Sequence, residues 1–241
     1  MPLKRSASVF LLALASCAPC LASAVGCPEP LVLFDLRSDP VASPPDIAPA
    51  MRERLSRDLF GSEGQAFTIN SFAPGSFTRR GADEDLYVVQ RGGPDATDPA
   101  GQTATVAIYA DGRLIRSQQV TVGNFVERVV HGIAADGRDA VLLRADSYQM
   151  GVSTVRLALA DMEGSRWRER EVFADARVDA CESGRPGSEV EAQVVRYCVT
   201  DGAWPAFLVE HYRGACDGGN PPAVTAFRRV ADGAPATEGS P

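Results

Sequence analysis

The chain has 241 residues, 24 Lys and Arg against 31 Asp and Glu, and a formal net charge of −7. That acidity, with no run of basic residues, makes it a poor partner for nucleic acid or for anionic lipid bound by charge alone. Aromatic residues make up 7%, with Trp167 and Trp204 the two tryptophans, which is thin for a sugar-stacking cleft.

The first twenty-four residues read as an export signal: Lys4 and Arg5, an apolar run Val9–Ala15, then Ala22-Ser23-Ala24 at a cleavage site. The apolar run is far short of the ~20 residues that span a bilayer, so no transmembrane span is expected. A second reading stays open. Leu14-Ala15-Ser16-Cys17 resembles a lipobox, in which Cys17 is lipidated and the protein becomes membrane-anchored. Cysteine arithmetic favours cleavage after Ala24, which leaves Cys27, Cys181, Cys198 and Cys216, an even set for an oxidising space. The Cys17–Cys20 spacing falls within the signal and is not read as a redox motif. Removal of the signal leaves 22 basic residues, all arginine, against 31 acidic ones.

Residues 25–45 form a proline-rich lead-in around one short strand, Leu31–Leu36. Asp46 is placed to cap a helix over 46–60, whose apolar residues Ile47, Met51, Leu55 and Leu59 recur every four positions, with Gly61 ending it. The opposite faces carry Arg52, Glu53, Arg54, Arg57 and Asp58, so the helix is expected to pack on a sheet rather than on a membrane.

From about Ala66 the pattern changes to a period of two. Strands are expected over Asp85–Gln90, Thr103–Tyr109, Arg113–Val120, Ala140–Ala145, Val152–Ala160, Arg166–Phe173, Glu189–Val199, Ala206–Tyr212 and Ala223–Val230. Turn pairs fall at Asp111-Gly112, Asp136-Gly137, Glu163-Gly164 and Asp201-Gly202. The fold class is therefore mainly β, antiparallel, as a partial propeller-like array or a β-sandwich, with one N-terminal amphipathic helix. A single domain is expected over 46–230, followed by a small polar tail, 231–241.

The segment Ala135–Leu143, an Asp-Gly turn leading into an apolar strand, resembles the calcium-loop-plus-strand unit of FG-GAP/VCBS-type β-propeller repeats. Thr200-Asp201-Gly202 followed by Ala206–Glu210 is a fainter likeness. The resemblance implies a calcium loop, but here only Asp136 and Asp139 remain as carboxylates, with Arg138 between them. Two carboxylates cannot supply the six to eight oxygens calcium takes, so a degenerate loop without metal is expected. Gly81–Asp85 and Gly92–Gly101 bring further acids and are read as solvated loop tips; Gly92-Gly93 is no phosphate loop, and no cofactor is expected.

Catalytic motifs are sparse. His131 and His211 are the two histidines, neither at zinc-ligand spacing, and Gly-x-Ser-x-Gly does not occur. Neighbours on a strand face opposite ways, so Glu210 and His211 cannot act together. No catalytic residue is assigned. The segment Asp146–Gly151 is a loop between two strong strands and offers Ser147, Tyr148 and Gln149 as a binding surface.

Four cysteines allow three pairings. If 189–199 and 203–212 form a hairpin turning at Asp201-Gly202, paired positions sum to about 403. Cys198 then faces Pro205 near the turn, while Cys216 extrapolates to Gly187, in the loop after Cys181. Cys181–Cys216 and Cys27–Cys198 follow. The leading expectation is an exported, non-catalytic β-rich protein of the bacterial envelope, periplasmic or extracellular, binding a protein or a surface polymer. A hydrolase with a site assembled from distant strands and a purely structural periplasmic module are the alternatives.

Overall fold

The structure is a computed structural model and describes residues 29–38, 45–61, 66–91, 104–120, 125–134, 136–185, 187–199, 204–220 and 222–230. Its strands are β1 (Leu31–Asp35), β2 (Phe67–Gly75), β3 (Glu84–Arg91), β4 (Ala104–Ala110), β5 (Arg113–Val120), β6 (Phe125–Val130), β7 (Ala140–Gln149), β8 (Val152–Glu163), β9 (Arg166–Asp179), β10 (Glu189–Cys198), β11 (Ala206–Cys216) and β12 (Val224–Val230). Among the described residues one helix, α1 (Pro49–Phe60), precedes β2. A 3-10 turn, Cys181–Ser183, follows β9. The protein is mainly β and antiparallel, as its periodicity indicates. One sheet runs β12-β11-β10-β9-β8-β7-β6 with β1 paired to β10, and a second runs β2-β3-β4-β5.

Strands β7 and β8 explain the layering. Each has an unbroken buried run, Ala140–Arg144 and Leu157–Met162. A strand that is apolar at successive positions must be covered on both faces. Ala140 and Leu142 enter a core shared with Leu33, Phe34, Phe173 and Val195, whereas Val141 and Leu143 enter another with Phe77, Leu86, Val106 and Trp167. The β2–β5 sheet closes the second core and is laced to the large sheet at two seams. At one, the Val126 N–H of β6 donates to Ser71 Oγ of β2 at 2.8 Å. At the other, the Gln118 side chain of β5 takes the Trp167 N–H of β9 at 2.8 Å and donates back to its carbonyl at 3.2 Å. Each fully buried Leu or Val contributes about 1.5–3 kcal/mol, so these shared faces dominate stability.

Helix α1 covers the outer face of β2–β5: Leu55 is fully buried against Tyr87 and Tyr109, flanked by Ile47, Met51 and Leu59. That is the face the four-residue spacing marks. Its start differs from expectation. Asp46 is not the cap; Ala48 holds that position at ψ 137° and Pro49 opens the helix. Proline suits the first helical position because its missing N–H would be unpaired there, and it forces the preceding residue out of the helical region. Gly61 ends the helix at φ 72°, its N–H bonded to the Arg57 carbonyl at 3.0 Å.

Strands β10 and β11 form the expected hairpin, one residue out of the expected register: Cys198 faces Ala206 rather than Pro205. The disulfide argument needs only the correct end of the hairpin, and Cys181–Cys216 is bonded, with Cα atoms 5.6 Å apart. Cys198 is also in a disulfide. Cys27, expected as its partner, and Cys17 lie outside the described residues, as do the signal segment, Gly92–Gly101, the Asp201-Gly202 turn and the tail 231–241.

Candidate functional site

Sequence composition marks Asp146–Gly151 as a loop, but the ladder continues through it. Ser147 pairs with Thr154, Tyr148 with Ser153 and Gln149 with Val152. Only Met150 and Gly151 turn, at φ 52° and 78°. Two successive positive φ values make the tight reversal whose twist matches the flanking strands. Ser147, Tyr148 and Gln149 therefore sit on the outer end of β7, exposed, while their partner strand β8 is itself paired with β9 through Ser153–Asp179 and Thr154–Val178. Tyr148 is 65% exposed and Met150 80%.

This end is held from below. A Cβ on Gly151 would lie 2.6 Å from the Glu182 carbonyl and the Ser183 Cα, so only glycine allows this backbone contact. Tyr148 Oη donates to Glu182 Oε2 at 3.2 Å, and that bond to a carboxylate raises the phenol above its ordinary value. The Cys181–Ser183 turn beneath is itself fixed. Cys181 is bonded to Cys216, its N–H donates to Asp179 Oδ1 at 3.1 Å, and Ser183 and Ser188 hydroxyls meet at 2.9 Å. The tip thus presents a large apolar side chain and a ring on a backbone with little freedom.

The Asp136–Asp139 loop has the opposite character. Asp139, 6% exposed, accepts the Ser76 and Gly132 N–H groups, each at 2.8 Å, and lies 3.1 Å from His131 Nδ1. Arg138 bonds Asp136 and the Phe77 and Met162 carbonyls, and stands 4.0 Å from Asp161. A guanidinium surrounded by two carbonyls and two carboxylates is an internal counter-ion, so the loop ties the segments that follow β2 and β6 to β8. Among the described residues, no group of three His, Cys, Asp or Glu is placed to hold a metal.

His131 gains a carboxylate partner that sequence spacing did not single out, and the pair has the geometry of a base and its orienting acid. Ser76, the serine touching Asp139, gives its hydroxyl to the Ala82 carbonyl at 2.7 Å. His211 lies elsewhere, in a cleft of about 520 Å³ with Glu171, Phe173, Gln193 and Phe207. Its neighbour Glu210 points away, toward Arg196 at 3.8 Å and Arg229 at 3.4 Å. The two histidines are not brought together.

The acidic segment before β3 corrects another expectation. Glu84 is no solvated loop tip: it is 2% exposed and accepts the Phe77 N–H at 2.6 Å, the Thr78 N–H at 2.8 Å and the Thr78 hydroxyl. Asp85 next to it lacks such support, and burial, with Asp83 nearby, raises its carboxyl above the ordinary range. Glu182 and Gly151, which set the tip, carry no local signal, because the contact joins segments about thirty residues apart in sequence. Compared with known proteins, the chain matches no family model, no characterised protein and no solved structure.

Proposed function

We propose that this is an exported, non-catalytic β domain of the bacterial envelope that binds another protein through the β7–β8 tip. The observation that carries the reading is the pairing of exposure with restraint. Tyr148 and Met150 project at 65% and 80% exposure from a turn seated on a disulfide-bonded support. Aromatic and methionine side chains are enriched where proteins meet, and a pre-ordered loop loses less entropy on binding. The disulfide is compatible with an oxidising compartment, and no helix among the described residues is long and apolar enough to cross a membrane. Signal cleavage after Ala24 belongs to the same reading, as does kinship with FG-GAP/VCBS repeats, whose strand positions would fall on β7 and β11.

A photoreactive residue at position 150, in cells exporting the protein, tests this. A discrete protein adduct is expected at 150, absent from position 165 in the β8–β9 turn, which is also exposed, and lost when Tyr148→Ser is added. Equal labelling at both positions would refute a binding role for the tip. Retention on purified cell-wall polymer, abolished by the same substitution, would move the ligand from protein to polymer.

A further inference from the structure

The chain is acidic overall, yet α1 and the β4–β5 turn gather cations from distant parts of the sequence. They bound a cleft of about 490 Å³ formed by Arg54, Arg57, Asp58, Gly112, Arg113 and Leu114. Three arginines and one carboxylate line it, and of the arginines Arg57 is already engaged within the chain. That carboxylate is already engaged, since Tyr109 Oη donates to Asp58 Oδ2 at 3.1 Å from the buried side. Arg54 is fixed by a single bond, Nη1 to the Gly112 carbonyl at 2.6 Å, which leaves its other N–H groups to point elsewhere. Gly112 permits this approach: a Cβ there would stand 2.5 Å from Arg54 Nη1, and its φ is +70°. Arg113 is exposed and makes no ion pair among the described residues.

We infer that this cleft binds a phosphoryl group, with Arg54 and Arg113 as its principal donors. Arg57 has a partner within the chain, so Arg54 and Arg113 carry the argument, and two guanidiniums suit the doubly charged oxygens of a phosphate, about −1.5 to −2 near neutral pH. Planar guanidiniums engage phosphate oxygens through paired, charge-assisted bonds. Because the rest of the chain repels anions, the local field and not the global charge must recruit the ligand. The site lies on the β2–β5 sheet and does not depend on the tip reading.

Inorganic phosphate titrated into the full exported chain tests it, read by amide NMR at ionic strength matched with chloride. Saturable shifts confined to Gly112, Arg113 and Arg54 are expected, with affinity falling about tenfold in Arg113→Gln and in Arg54→Gln, the loss typical of one charge-assisted contact. A second arm asks for the source: co-sedimentation with phosphatidylglycerol vesicles but not phosphatidylcholine, lost in Arg113→Gln, identifies a lipid headgroup, and its absence identifies a soluble phosphate. Shifts that are non-saturable, reproduced by chloride or unaltered in both variants overturn the proposal.

Discussion

The β7–β8 tip and the Asp136–Asp139 loop are both polar connections attached to β7, and they use their side chains in opposite ways. In the loop, Asp139 and Arg138 turn inward and are satisfied by Ser76, Gly132, Phe77 and Met162. At the tip, the backbone is held by Glu182, Ser183 and the Cys181–Cys216 bridge, while Met150 and the Tyr148 ring face solvent. A polar loop whose groups find partners within the chain is acting in stability. One whose backbone is restrained while its side chains stay exposed has contacts left to make with another molecule.

The comparison breaks most severely if the support under the tip is removed. Cys181→Ser with Cys216→Ser opens a loop of 35 residues. The chain-entropy model gives about 3–4 kcal/mol for a loop of that size, seen as a lower urea midpoint with a steeper slope, because the unlinked unfolded chain exposes more surface. Hydrogen exchange should accelerate over 147–153 while Val141–Leu143, buried on both faces, stays protected. Unchanged exchange at the tip would mean it is ordered by its own ladder, and the contrast drawn above would lose its physical basis.

Next in size is the loop itself. Asp139→Ala removes a buried acceptor of two backbone N–H groups. A loss of about 2–3 kcal/mol is expected from unfolding in urea, since buried donors would be left without partners. Exchange at 147–153 should not follow it, because none of these bonds reaches the tip. A loss below about 0.5 kcal/mol would show that Asp139 is as dispensable as an ordinary surface residue.

These two regions also mark what the sequence could show. The fold class, the helix face through Met51, Leu55 and Leu59, and Cys181–Cys216 follow from local spacing and one hairpin. Strand β6 was missed because Phe125–Val130 carries Glu127 and Arg128 within a short run without clean alternation. The outer half of β7 was missed because solvent on both faces leaves no apolar pattern to read. Asp139 and Glu84 looked like solvated acids because the amides and hydroxyl that satisfy them belong to folded geometry: Ser76 is 63 residues from Asp139. The arginine cleft was hidden likewise, since Arg54 and Gly112 meet across 58 residues.

The smallest effect separates two adjacent carboxylates at the start of β3, where the same contrast recurs within one step of chain. Glu84 has two amides and a hydroxyl, whereas Asp85 is pushed upward by burial and by Asp83. A carboxyl whose folded value lies above its unfolded one opposes folding when ionised, and that opposition vanishes once it is protonated in both states. Asp85→Asn removes the charge at every pH. It should therefore raise the melting temperature slightly at pH 7, and the gain should shrink as pH falls, disappearing below the ordinary aspartate value of 3.8. Glu84→Gln should lower the melting temperature at pH 7, because it replaces an acceptor of three bonds with an amide that must turn a donor toward them. Melting curves at pH 7 and pH 3 for both variants decide it. If Asp85→Asn destabilises at pH 7, the ionised carboxylate is being stabilised by its surroundings, and the distinction between supported and unsupported charge fails at the position where it is simplest to test.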